Sequence, residues 1–75
     1  MKALDVPRAQ VTSSMIESAG WGEDMLVIEF KNGSVYAYHA PQEYFYGMMA
    51  AESAGKYFHA RIKPLFEGEK VTDGT

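Results

Sequence analysis

Lys56, Arg61 and Lys63 lie close together in the chain, with Tyr57 and His59 between them and no acidic residue among them. Three of the seven Lys and Arg residues fall in this short stretch. Cations beside aromatic rings suit a single-stranded nucleic acid, because the charges hold phosphates while the rings stack on bases. The competing reading is a solvated helix face that offsets an acidic protein. Positive charge near a helix C-terminus is favourable in its own right, and on the residues alone that reading is the stronger. Tyr46 lies off the apolar stripe of the preceding helix and is expected to expose its ring. The candidate RNA contacts are therefore Lys56, His59, Arg61, Lys63 and Tyr46. A second set, Trp21, Tyr46 and Met49, could instead form an apolar patch of the kind that anchors protein–protein contacts.

Other chemistries find less support. A metal site would need His39 and His59 together with a carboxylate, and the spacing does not link them, so no metal ligand is assigned. Nucleophilic catalysis would need Ser13, Ser14 or Ser53 beside a histidine base. Ser53-Ala54-Gly55-Lys56 matches the S-x-x-K pattern of penicillin-recognising enzymes, but it is read at a helix end, and a chain this short lacks the partner motifs. Glu23-Asp24 and Glu67/Glu69 read as solvated pairs in a turn and a tail. Gly20-Trp21-Gly22 lacks the third glycine and the crossover helix of a dinucleotide site. Asn32-Gly33-Ser34 is a glycosylation sequon only in form, since it lies in a tight hairpin. Tyr36-Ala37-Tyr38 has the look of a base-stacking platform, yet these rings are better spent as core. No catalytic residue, cofactor or enzymatic activity is assigned.

These residues need a scaffold. The chain has 75 residues, 47% of them hydrophobic, and no cysteine. That is one small domain, in which about 60% of the unfolded chain's surface can be buried. Neither a disulfide nor a thiolate zinc site can brace it, so ten aromatics and five methionines must fill the core. Val11 to Ala19 reads as a strand, residues 20–24 as a turn and Met25 to Phe30 as the strongest strand. Ser34 to Ala40 returns after a loop at Lys31-Asn32-Gly33. A two-residue Asn32-Gly33 loop would pair Phe30 with Val35 and set Val35, Ala37 and His39 beside Leu26, Ile28 and Phe30. A three-residue loop with Gly33 in the left-handed region would pair Phe30 with Ser34 and bring Tyr36 and Tyr38 to that face. A one-residue slip flips every side chain, and the three-residue loop is favoured because a thin core needs the rings.

Pro41 opens a helix over 41–53, with Tyr44, Phe45, Met48 and Ala51 on one stripe and Gly55 expected as its C-terminal cap. A second helix runs from Lys56 to Ile62. Phe58, Ile62 and Leu65 form its apolar side, Lys56, His59 and Lys63 share another, and Pro64 ends it. The expected fold is α+β, a three-stranded antiparallel meander with two helices packed on one face, in the order β-β-β-α-α. The domain is placed at 11–66, with flexible tails at 1–10 and 67–75.

The formal net charge of -3 argues against strong non-specific binding of DNA or RNA, which needs basic charge to displace counterions. It leaves room for a local basic patch. Neither a signal peptide nor a membrane span is legible, so the expected setting is the cytoplasm, without membrane partners.

Ser13-Ser14 with Ile16, then Gly20-Trp21, Leu26-Val27-Ile28-Glu29-Phe30, Gly33 with Tyr36-Ala37-Tyr38, Pro41 with Tyr44, Ala51-Glu52-Ser53-Ala54-Gly55, Tyr57-Phe58-His59 and Ile62 together resemble the KTSC domain. Trp21 stands where that family often has Tyr, and His59 where it often has Asn. The likeness covers roughly residues 12 to 66. The family is named for the C-terminus of some lysyl-tRNA synthetases and also occurs as stand-alone bacterial and phage proteins. The resemblance implies RNA binding through that attachment and lends no catalytic residue. Two functions follow as expectations. One is a non-enzymatic RNA-binding accessory to translation. The other is a phage or bacterial regulator that docks on a protein component of the transcription or translation machinery, such as RNA polymerase.

Overall fold

Two tight turns set the sheet. Glu23 and Asp24 both adopt positive φ, 55° and 63°, in the two-residue loop between paired Gly22 and Met25, the twist that a hairpin of this length requires. At the next turn Gly33 has φ of 93°, the Phe30 N–H donates to the Ser34 carbonyl at 2.8 Å, and the Ser34 N–H donates to Asn32 Oδ1 at 2.9 Å. The three-residue loop expected from the sequence is the one that forms.

The structure, a computed structural model, describes residues 6–71. Its strands are β1 (Ala9–Gln10), β2 (Ile16–Gly22), β3 (Met25–Phe30), β4 (Val35–Tyr38) and β5 (Gly68–Val71). They form one antiparallel sheet in the order β1-β2-β3-β4-β5. Helix α1 (Gln42–Ala50) and helix α2 (Ala54–Tyr57) lie between β4 and β5 in sequence, and a π-helical segment, Phe58–Ile62, continues α2 without a break. The fold is α+β with two helices and an antiparallel sheet, but the sheet has five strands rather than three. Both segments expected as tails contribute. Residues 9–10 pair with β2 and residues 68–71 pair with β4, while residues 1–5 and 72–75 lie outside the described part.

The β3–β4 register pairs Ile28 with Tyr36 and Leu26 with Tyr38, so the tyrosines share the helix-covered face with Leu26 and Ile28. Ile16, Leu26, Ile28, Met48 and Ile62 are fully buried there, each such side chain contributing about 1.5–3 kcal/mol. Phe30, Tyr38 and Phe58 form an edge-to-face cluster, with Phe58 centred 5.4 Å from each of the other rings. Tyr36 adds a second edge contact to Phe30 at 5.9 Å.

The opposite face carries a smaller cluster of Val6, Val27 and Ala37, flanked by Met25, Val35 and Val71. Residues 6–8 run across it. A Cβ on Gly20 would collide with the Pro7 carbonyl, and one on Gly22 would press on the Val6 methyls. These glycines belong to β2, although the sequence reading placed them in a turn; they leave room for a crossing backbone.

Three helix assignments change. Helix α1 stops at Ala50, with Ala51 extended at ψ 151°. Gly55 does not cap it but lies inside α2. Ser53 is the reason: it is the N-cap of α2, its hydroxyl accepting from the Lys56 N–H at 3.2 Å, and its own backbone is extended at φ -133° and ψ 108°, so α1 does not run through it. The second helix widens at Phe58, where the Lys63 N–H reaches back five residues to the Phe58 carbonyl at 2.9 Å. Pro64 explains this, because its ring would clash with the Ala60 carbonyl in a regular α-turn and has no N–H to give it. Leu65, expected on the apolar side, is 60% exposed; Phe66 takes the inward place, its ring 4.9 Å from Tyr44.

Candidate nucleic-acid interface

Lys56, His59 and Lys63 stand exposed on one side of α2 and the π segment. Two clefts flank this side, and His59 lines both. The first, about 310 Å³, runs between the π segment and the β3–β4 hairpin, with Phe30, Tyr36, Tyr38, His59 and Lys63 in its walls and Asn32 and Ser34 at the hairpin end. The second, about 300 Å³, runs between α2 and the loop before β2, with Ser13, Ser14, Ser53, Lys56 and His59. Met15 lines both, and a third hollow joins Met15 and Phe30 to Lys31. The result is a groove with a ring-lined half and a hydroxyl-lined half.

Electrostatics sharpen the picture. Among the described residues, neither Lys56 nor Lys63 has an ion-pair partner. The ion pairs that form there are Lys31 with Glu17 at 3.8 Å and His39 with Glu69 at 3.7 Å. Glu52 is the single carboxylate in the hydroxyl-lined half. Burial pushes the Tyr38 phenol above its ordinary value, and neighbouring Tyr36 adds in the same direction, so the ring behind the cleft stays neutral at physiological pH.

The sequence-derived set separates here. His59 shares one cleft with Lys56 and the other with Lys63. Arg61 is exposed but lines neither cleft, and Tyr46, 60% exposed on α1, lines neither. Trp21 leaves the apolar-patch set, because its ring packs on the core and its indole N–H donates to the Ala40 carbonyl at 2.8 Å. It is a half-buried strut, not an exposed anchor. Met49 is 38% exposed on the same helix as Tyr46. Ser53 stands at a helix start, not an end, and spends its acceptor on a backbone N–H. Among the described residues, no three His, Asp or Glu side chains group closely enough to hold a metal ion, and none of the helices is long and apolar enough to cross a membrane.

The groove residues that the sequence reading missed are Met15, Asn32 and the Ser13-Ser14 wall. Their signal was faint: Ser13 is placed by accepting from the Met15 and Ile16 N–H groups, both at 3.1 Å, and meets α2 only through tertiary packing. Tyr36, for which the sequence favours a core place over a base-stacking platform, is half-buried and forms a cleft wall as well.

A small α+β domain with a cationic, partly aromatic groove is thus defined. The KTSC domain model matches residues 12–66, and the chain belongs to the KTSC domain family. It is similar to a KTSC domain protein of Yersinia pestis known from a crystal structure, with a TM-score of 0.80 and 35% identity over 89% of this chain and 99% of that one. A protein of Tsukamurella paurometabola is 41% identical over 59 residues, 75% of this chain and 88% of the relative. An uncharacterised protein of Stutzerimonas stutzeri is 33% identical over 60 residues, 76% of this chain and 84% of the relative.

Proposed function

We propose that this protein is a non-enzymatic module that binds single-stranded RNA along the groove beside its second helix, as a cytoplasmic accessory to translation. The observation that carries this reading is the junction at His59: one side chain lines both the ring-walled cleft that holds Lys63 and the hydroxyl-walled cleft that holds Lys56. Phosphates sit on Lys56 and Lys63, and bases reach the edges of Phe30 and Tyr36. Because the net charge is -3, binding is local and selective for chains that fit the groove, not a general attraction to polyanions.

The test is fluorescence anisotropy of a labelled single-stranded oligoribonucleotide across a salt series. Two or three neutralised phosphates give a log–log slope of roughly -1.4 to -2.1. A double variant, Lys56→Gln with Lys63→Gln, reduces that slope and weakens binding. No binding at low salt, or unchanged binding by the double variant, overturns the reading.

A second reading rests on Tyr46 and Met49, exposed on the outer side of α1. There the domain docks on a protein component of the transcription or translation machinery, such as RNA polymerase. A complex with such a component that survives nuclease treatment and is lost in Tyr46→Ala separates it from the first.

A further inference from the structure

The hydroxyl-lined cleft holds hydrogen-bond donors that no acceptor among the described residues takes up. Ser13 Oγ accepts from two backbone N–H groups, both at 3.1 Å, and Ser53 Oγ accepts from a third at 3.2 Å. A serine hydroxyl has one hydrogen to donate. Each hydroxyl already accepts from the backbone and neither donates to an acceptor among the described residues, so both hydrogens are left for another partner, in a cleft that Ser14, Lys56 and His59 also line. Fixed donors beside a cation suit a phosphate.

Gly55 points the same way. It lies in the first turn of α2, and glycine is a poorer helix former than alanine. Nothing in the fold requires a glycine there: a Cβ would meet Met15 Cε at 3.5 Å and Ser13 Oγ at 3.6 Å, both ordinary contacts. What a methyl would do is cover the Ser13 hydroxyl. The glycine keeps that donor open.

The cleft also has a direction. His59 is shared with the ring-lined cleft, whereas Glu52 is shared with a hollow on the other side that includes Gln10 and Met49. The His59 end therefore faces the aromatic rings, and the carboxylate stands at the far end.

We infer that the Ser13–Ser53–Lys56 cleft is a subsite for the phosphate of a terminal nucleotide, with the nucleoside across His59 in the ring-lined cleft and Glu52 disfavouring any further phosphate beyond it. This deepens the RNA reading and rests on the same groove.

Isothermal titration calorimetry of the full chain tests it, with adenosine 5′-monophosphate, adenosine, inorganic phosphate and adenosine 5′-triphosphate as probes. The monophosphate binds roughly tenfold more tightly than adenosine or phosphate alone, the scale of one charge-assisted hydrogen bond, and more tightly than the triphosphate. Gly55→Ala, which keeps or raises thermal stability, loses that preference, and Lys56→Gln weakens the monophosphate alike. An unphosphorylated oligoribonucleotide is the control, since it still binds Gly55→Ala through Lys63 and the rings. A monophosphate that binds no better than adenosine, or a Gly55→Ala protein that binds it unchanged, overturns the subsite. Monophosphate binding without oligonucleotide binding supports the subsite and removes the RNA reading.

Discussion

The two faces of the sheet are built from alternate residues of the same strands, yet they differ in depth. On the helix side Ile28 packs beneath Met48, Phe58 and Ile62, with rings from β3 and β4 closing the edges. On the other side, among the described residues, Val27 and Ala37 meet a thinner cover of Val6 with Met25, Val35 and Val71 at its flanks. A thick face can hold helices at a distance from the hairpin and leave clefts between them; a thin face covered by crossing backbone cannot. The proposed binding groove accordingly lies on the deep side, at the rim of the core where Tyr36 is half-buried and Phe58 is buried.

This contrast is open to direct test. Ile28→Ala should cost about 2–5 kcal/mol, the range for a large aliphatic removed from a packed core. Val27→Ala should cost less, about 1–3 kcal/mol. Urea unfolding of both variants measures the difference, and equal losses would erase the distinction between the faces. Gly20→Ala comes next. Its methyl collides with the Pro7 carbonyl, so residues 6–8 must lift and Val6 loses its cover, at about 1–3 kcal/mol, the scale of overpacking. Faster amide exchange at Val27 and Ala37, with Ile28 unchanged, is the signature of a local effect.

A smaller effect appears at high pH. The Tyr38 phenol is raised above its ordinary value of 10.0 by burial and then by Tyr36. The folded protein therefore holds that proton more tightly than the unfolded chain does. This contribution is fully present below about pH 10 and is lost as pH rises through the raised value. Tyr38→Phe should flatten the alkaline fall in thermal midpoint and leave the neutral and acid sides unchanged. The smallest expected effect is on the groove itself: Lys56→Gln and Lys63→Gln should each change stability by no more than about 0.5 kcal/mol, because both are exposed and unpaired among the described residues. A larger loss would mean that these lysines serve the fold.

How far the sequence reached can be read from particular residues. The β3–β4 register was legible because only one pairing puts Tyr36 and Tyr38 beside Leu26 and Ile28. The edge strands were not. Ala9–Gln10 and Gly68–Val71 are too short and too polar to show a period of two, and their pairing partners set them in place. Gly20 and Gly22 read as turn residues because the segment that crosses them is distant in kind, not in sequence: a backbone carbonyl and a valine leave no mark on the pattern. Pro64 announced a helix end, and the widened turn before it follows from the same clash. At the groove the cations were legible as a cluster. Which of them share a wall was not, since the π segment sets Lys63 with His59 and leaves Arg61 aside.

The central claim is that ligand contact is confined to the deep side of the sheet, along the groove that His59 joins. Amide chemical shifts followed during titration with a single-stranded oligoribonucleotide address it residue by residue. The account predicts perturbations at Ser13 to Met15, at Asn32 to Tyr36 and from Ser53 to Lys63, with Val27, Ala37 and Val71 silent. Shifts confined to Tyr46 and Met49, or centred on the valine face, would contradict it.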